Sequence, residues 1–134
     1  MQREVEKEIF PLCHTAGIGQ VVFSPLAQGV LSGKYKPGQP VPTDSRAADD
    51  RQNQFIQRFI QNQPLLEKVQ HLGTIAAANN CTMSQLALAW ALRRPEVTSC
   101  IVGASRPSQL EENAKASGLK LSPSDISKID EILF

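Results

Sequence analysis

Two short apolar runs, Val21-Val22-Phe23 and Cys100-Ile101-Val102, constrain this chain more than any other feature. A run that is apolar at every residue suits a strand covered on both faces, as in a parallel sheet. The rest of the periodic sequence reads as helix, and buried strands alternating with helices mean a parallel α/β class. Two strands are too few for that class, because each would leave an unpaired edge and uncovered apolar faces. The 134 residues therefore read as a piece of a larger fold, or as a chain that pairs with another.

The elements around the two runs follow from spacing and punctuation. Val5, Ile9, Leu12 and Cys13 recur at helical spacing and predict a helix over 3–15, ended by Ala16-Gly17. From Ser24 to about Asp50 the density of Gly and Pro leaves no room for a long regular element, and a loop of that length is usually functional or disordered. Phe55, Ile56, Phe59 and Ile60 predict a helix over 51–61. A longer one follows from Pro64 to Ala78, with Leu66, Val69, Leu72 and Ile75 or Ala76 facing inward. Thr82-Met83-Ser84-Gln85 is a capping box for a helix that Pro95 stops after Arg94. Thr98–Val102 is the second strand, a helix runs from Pro107 to Ala116, and Ser122-Pro123-Ser124-Asp125 caps the last one.

Composition excludes several partners. The chain is 41% hydrophobic and 20% charged with a net charge of +1, too balanced for nucleic acid or an anionic membrane as the main partner. No apolar run approaches the ~20 residues of a membrane span, and the first residues lack the apolar stretch of a signal peptide. Cys13, Cys81 and Cys100 fit neither a zinc site nor a redox pair and read as buried thiols in a reducing cytoplasm.

The chemistry lies in the segments after the two strands. Phe23-Ser24-Pro25-Leu26-Ala27-Gln28-Gly29-Val30-Leu31-Ser32-Gly33-Lys34-Tyr35 offers glycines for close backbone approach, serine hydroxyls and an ammonium. Gly103-Ala104-Ser105-Arg106 puts Gly, Ser and Arg at a helix N-terminus, where free N–H groups and the helix dipole favour an anion. Taken singly, Ser24-Pro25 also suits a plain turn and Ser105 a plain cap.

The two segments together resemble the C-terminal part of the aldo-keto reductases, in the branch that contains the potassium-channel β subunits and their bacterial relatives. The likeness rests on Ser24-Pro25-Leu26-Ala27-x-Gly29-x-x-Ser32-Gly33-Lys34-Tyr35 and Gly103-Ala104-Ser105-x-x-x-Gln109-Leu110-x-Glu112-Asn113, with Gln85-Leu86-Ala87-Leu88-Ala89-Trp90 between them, and it runs from Gln2 to Leu133. It implies the C-terminal portion of a (β/α)8 TIM barrel, strands 7 and 8 with their helices, as one incomplete segment over 1–134 with a cofactor-clasp loop at 24–50. It implies NADP(H) as cofactor. Phe23 matches the aromatic that stacks on the nicotinamide, where the family more often has Trp or Tyr. Ser24, Pro25, Leu26, Gln28 and Gly29 match the wrap around the pyrophosphate, and Lys34 and Arg46 the cations closing over it. Gly103, Ser105, Arg106 and Gln109 match the pocket for the adenosine 2′-phosphate, and Glu112 and Asn113 the adenine contacts.

The family's proton-donor Tyr, with its Lys and Asp, belongs to the first half of the barrel and has no match here. Tyr35 is the only tyrosine, and it stands in the phosphate loop; His14 and His71 read as structural or surface residues. Three functions follow as expectations. The first is the NADP-binding part of a carbonyl reductase, inactive alone and able to act on a small carbonyl substrate only with the other barrel half. The second is a non-catalytic nucleotide-binding or regulatory piece. The third is a truncated or split-gene product that needs a complementing chain or associates with itself.

Overall fold

The computed structural model describes residues 3–51 and 53–134. Pro11 decides how the chain begins. Its ring bars a helix through the carbonyl of residue 7 and it lacks the N–H that would bond there. The helix expected over 3–15 is accordingly split into a 3-10 turn at Glu4–Glu6 and α1 at Ile9–Ala16, which Gly17 ends in the left-handed conformation. The split also turns the apolar stripe. Phe10 and Cys13 are buried, while Val5, Ile9 and Leu12 face outward, Leu12 with 67% of its surface exposed.

Strand β1 (Gln20–Phe23) follows, and the long segment after it is packed rather than loose. It holds 3-10 stretches at Ala27–Ser32 and Arg46–Ala48 and buries Val30, Leu31, Tyr35 and Ala47. The helix expected over 51–61 shrinks to one turn, α2 (Gln57–Ile60), with Ile56 buried and Phe55 exposed; Gln52, inside that expected span, lies outside the described residues, as do Met1 and Gln2. Phe59 and Ile60 pack partly buried against the core, and one turn gains little against the cost of helix initiation.

The remaining elements match their sequence signals. α3 (Gln63–Ala78) is capped by Asn62, whose side chain accepts from Leu65 N at 3.1 Å, and it buries Leu66, Val69, Leu72, Ile75 and Ala76. α4 (Met83–Leu92) starts on the complete Thr82–Gln85 capping box. Then come β2 (Val97–Ile101), α5 (Pro107–Ala114) with a 3-10 turn behind it, and α6 (Pro123–Leu133), where Ser122 accepts from Asp125 N.

β1 and β2 pair in parallel, with Val21 opposite Ser99, Val22 opposite Cys100 and Phe23 opposite Ile101. Two strands alone leave an apolar face uncovered, as their number implies. One face packs toward the helices, and on the other Val21, Phe23 and Ile101 are exposed by 60%, 79% and 60%. The core lies instead among α3, α4, α6 and the long segment, built from Val30, Tyr35, Ile56, Leu66, Val69 and Leu86 among others. Of the cysteines, Cys13 is buried and Cys81 and Cys100 are half-buried; all are free thiols.

A polar clasp ties the first turn to the last helices. Arg3 bonds Glu6 at 2.8 Å and Asp130 at 2.9 Å, and Arg93 bonds Glu6 at 3.0 Å while lying 3.6 Å from the centre of the Trp90 ring. Trp90 Nε1 donates to Asp130, and Phe134 stacks on Trp90. Burial pushes the Glu6 carboxyl up, but hydrogen bonds from Arg3 and Arg93, with their charge, outweigh it and hold the group below its ordinary 4.5. A depressed carboxyl contributes stability above the unfolded value, lost as pH falls through the folded one. Melting temperatures measured across the acid range should therefore fall below pH 4.5, and Glu6→Gln should flatten part of that fall. An unchanged slope in the variant would remove Glu6 from the acid response.

Candidate functional site

Because the strands are parallel and Phe23 pairs with Ile101, the segments beginning at Ser24 and Val102 leave the same end of the sheet. Open parallel sheets place ligands at that end. Phe23 closes β1 there, on the uncovered face with Val21 and Ile101.

The first segment turns sharply. Ser24, Ala27 and Gln28 all have positive φ (52°, 47° and 61°), followed by Gly29 at 94°. Three non-glycine residues in the left-handed region within five positions is a costly backbone, of the kind that concentrates at ligand clamps. Backbone bonds from Gly29 N and Leu31 N to the carbonyl of Leu26 hold the turn, with Pro25 leading into it. Side chains finish it: Gln28 Nε2 donates to Ser24 Oγ at 3.1 Å, and Arg46 Nη1 donates to Gln28 Oε1. Arg46 thus reaches back over eighteen residues, joining both ends of the segment. Lys34 is exposed, its ammonium 5.5 Å from the centre of the Tyr35 ring and its chain beside Gly29.

Beneath the segment, Gln70 on α3 donates to the carbonyls of Gly33 and Tyr35 at 3.2 and 3.1 Å. Gly33 has φ 77°, and a Cβ there would collide with Met83 Sδ at the start of α4. The positive φ is what calls for glycine, since the Met83 side chain is flexible enough to move aside. A cleft of about 690 Å³ opens beside β1, lined by Val22, Phe23, Ser24 and Gln28 at its loop end. Lys34, Arg46 and Arg106 are not among its walls.

The second segment delivers Gly103 and Ser105 to the start of α5. Ser105 N and Oγ both donate to Gln109 Oε1, at 2.8 and 3.2 Å, which fixes the turn. Arg106 is the N-cap residue in extended conformation; its side chain is exposed and makes no hydrogen bond among the described residues. Glu112 and Asn113 lie further along α5. Asn113 is buried, and Glu112 Oε1 accepts from Thr82 Oγ1 at 2.8 Å.

Hydrogen bonds therefore gather Ser24, Gln28 and Arg46 into one network and Ser105 and Gln109 into another, with Glu112 drawn to α4. Gln70, Met83 and Thr82 escaped sequence reasoning as supports of these segments. Thr82 was legible as a helix cap, but nothing in its spacing signals a partner thirty residues on.

A model of the aldo/keto reductase family matches residues 1–133. The chain is similar to a probable voltage-gated potassium channel subunit beta of Arabidopsis thaliana, 40% identical over 134 residues, covering 98% of this chain and 40% of that protein. It is also similar to a putative voltage-gated potassium channel subunit beta of Schizosaccharomyces pombe, 41% identical over 131 residues, covering 96% and 38%. The probable voltage-gated potassium channel subunit beta of Oryza sativa subsp. japonica is 38% identical over 134 residues, covering 98% and 40%. The chain spans about two fifths of the length of these relatives.

Proposed function

The chain belongs to the aldo/keto reductase family, and on that premise we propose that its two strand-end segments form the NADP(H) grip of a reductase acting on aldehydes and ketones. One observation carries the reading: the strained Ser24–Gly29 turn, latched by Arg46, stands at the same sheet end as a helix N-terminus whose Arg106 side chain is exposed and makes no hydrogen bond among the described residues. A dinucleotide phosphate places anions at two separated points, and cations with N–H donors at two points fit it.

In this reading β1 and β2 are the seventh and eighth strands of a (β/α)8 barrel, and residues 24–50 form the clasp. Phe23 lies flat against the nicotinamide. Ser24, Pro25, Leu26, Gln28 and Gly29 wrap the pyrophosphate under Lys34 and Arg46. Gly103, Ser105, Arg106 and Gln109 receive the 2′-phosphate, and Glu112 and Asn113 the adenine side. NADP(H), when bound, supplies hydride; the residues here bind and orient it. The chain performs no reduction alone, and its compartment is the reducing cytoplasm that free cysteines suit.

A second reading is favoured by the uncovered face of Val21, Phe23 and Ile101. An exposed apolar face beside open strand edges seeks cover, so the chain works with a complementing chain or associates with itself. The names of the relatives add a regulatory role beside channels, with nucleotide binding retained and catalysis not required.

Titration of adenosine 2′,5′-bisphosphate and adenosine 5′-monophosphate into the chain, with and without Arg106→Ala, tests the reading. The variant should bind the bisphosphate about tenfold or more weakly and the monophosphate nearly unchanged, since a hydrogen bond to a charged group contributes roughly 1.5–3 kcal/mol. Equal losses would move Arg106 to the shared 5′-phosphate. A wild-type chain that binds neither nucleotide would count against the proposal.

A further inference from the structure

Thr82 has one hydroxyl proton and spends it on α5. Its Oγ1 accepts from Gln85 N at 3.2 Å, completing the capping box, and donates to Glu112 Oε1 at 2.8 Å. Gln85 Nε2 donates to the carbonyl oxygen of the same Glu112 at 2.8 Å, so α4 holds that residue by main chain and side chain together. An ionised carboxylate only accepts. With Oε1 taken, Oε2 stays available, with no donor among the described residues. Glu112 shares a helix face with Gln109, three residues earlier, which orders the Ser105 turn.

We propose that Thr82 is a positioning residue that sets nucleobase selection at α5. By pinning one oxygen of Glu112 it presents the other as a fixed acceptor, matched to the exocyclic amine of adenine and opposed to the 6-oxo group of hypoxanthine. A carboxylate released from Thr82 can shift to the N1–H of hypoxanthine and loses the distinction. The inference rests on the dinucleotide reading above and adds to it a residue that touches no ligand.

The pinning makes a reversal testable. In Glu112→Gln, the Thr82 proton holds the amide oxygen, which turns the amide N–H groups, donors, toward the base. Preference should then swing to hypoxanthine, and only while Thr82 is present.

The test is calorimetric titration of the 134-residue chain with adenosine 2′,5′-bisphosphate and inosine 2′,5′-bisphosphate. The wild type should prefer the adenosine compound by about tenfold, the scale of one hydrogen bond to a charged group. Thr82→Ala should bring the ratio near one and Thr82→Ser should preserve it. Glu112→Gln should reverse the ratio, and adding Thr82→Ala should cancel the reversal. If Thr82 only caps α4, Thr82→Ala lowers the melting temperature and weakens both nucleotides alike with the ratio intact, which overturns the proposal. If Thr82→Ala does not fold, a Glu112→Gln variant without reversal overturns it as well. A wild type that binds both equally sinks this inference and leaves the nucleotide reading standing; one that binds neither sinks both.

Discussion

The 134-residue chain, mixed with NADPH and a panel of aldehydes, is expected to leave the NADPH absorbance unchanged. Carbonyl reduction needs a proton delivered to the substrate oxygen as hydride arrives, from a group within hydrogen-bond reach. Tyr35, the only tyrosine, is 2% exposed within the core, and its hydroxyl is enclosed there without a partner among the described residues. Such a hydroxyl cannot meet a substrate. His14 lies in the last turn of α1 and His71 on α3, both exposed and neither at the strand ends where Phe23 and Ser24 stand. Catalytic groups that act as a unit lose nearly everything when the donor is gone. Steady turnover on the order of 1 s⁻¹ or faster would show that a donor has been overlooked and would sink the assignment of this chain to cofactor binding alone.

Leu86→Ala should cost about 2–5 kcal/mol of folding stability. Leu86 is 1% exposed on α4, packed in the core with Leu66, Val69 and Leu72, and α4 packs against both strand-end segments. Against a typical total of roughly 5–15 kcal/mol, the loss should lower the urea midpoint by about 0.7 M or more, given a slope near 1–3 kcal/mol per molar. Leu12→Ala is the matched control. Helical spacing alone places Leu12 inward, whereas in the structure it is largely exposed on α1. Its replacement should change stability by no more than about 0.5 kcal/mol. Equal costs at the two positions would mean that the outer face of α1 is covered in solution.

Leu12 and Leu86 also mark the limit of what periodicity tells. Both recur with apolar neighbours at helical spacing, and both are helical. Which apolar face meets the core depends on neighbours far along the chain. Pro11, well inside the helix expected over 3–15, broke it and turned the stripe through its missing N–H and its ring. The caps were easier, since Thr82–Gln85 and Ser122–Asp125 bond within one turn and the partners are local by construction. The same locality explains α3, whose buried positions follow its spacing.

By itself the sequence determined the helices with local caps, the two parallel-type strands and the motif pair that places the chain in its family. These rest on short-range sterics, on spacing and on residue identity. The tertiary structure alone decided that the long segment after β1 is packed and latched by Arg46 onto Gln28, that the open face of the strand pair is the one carrying Val21, Phe23 and Ile101, and that Thr82 reaches across to Glu112. Each of those is a contact between residues distant in the chain, or the lack of one. Such contacts depend on where whole helices come to rest, and helix propensity, caps and periodicity describe only how each helix forms.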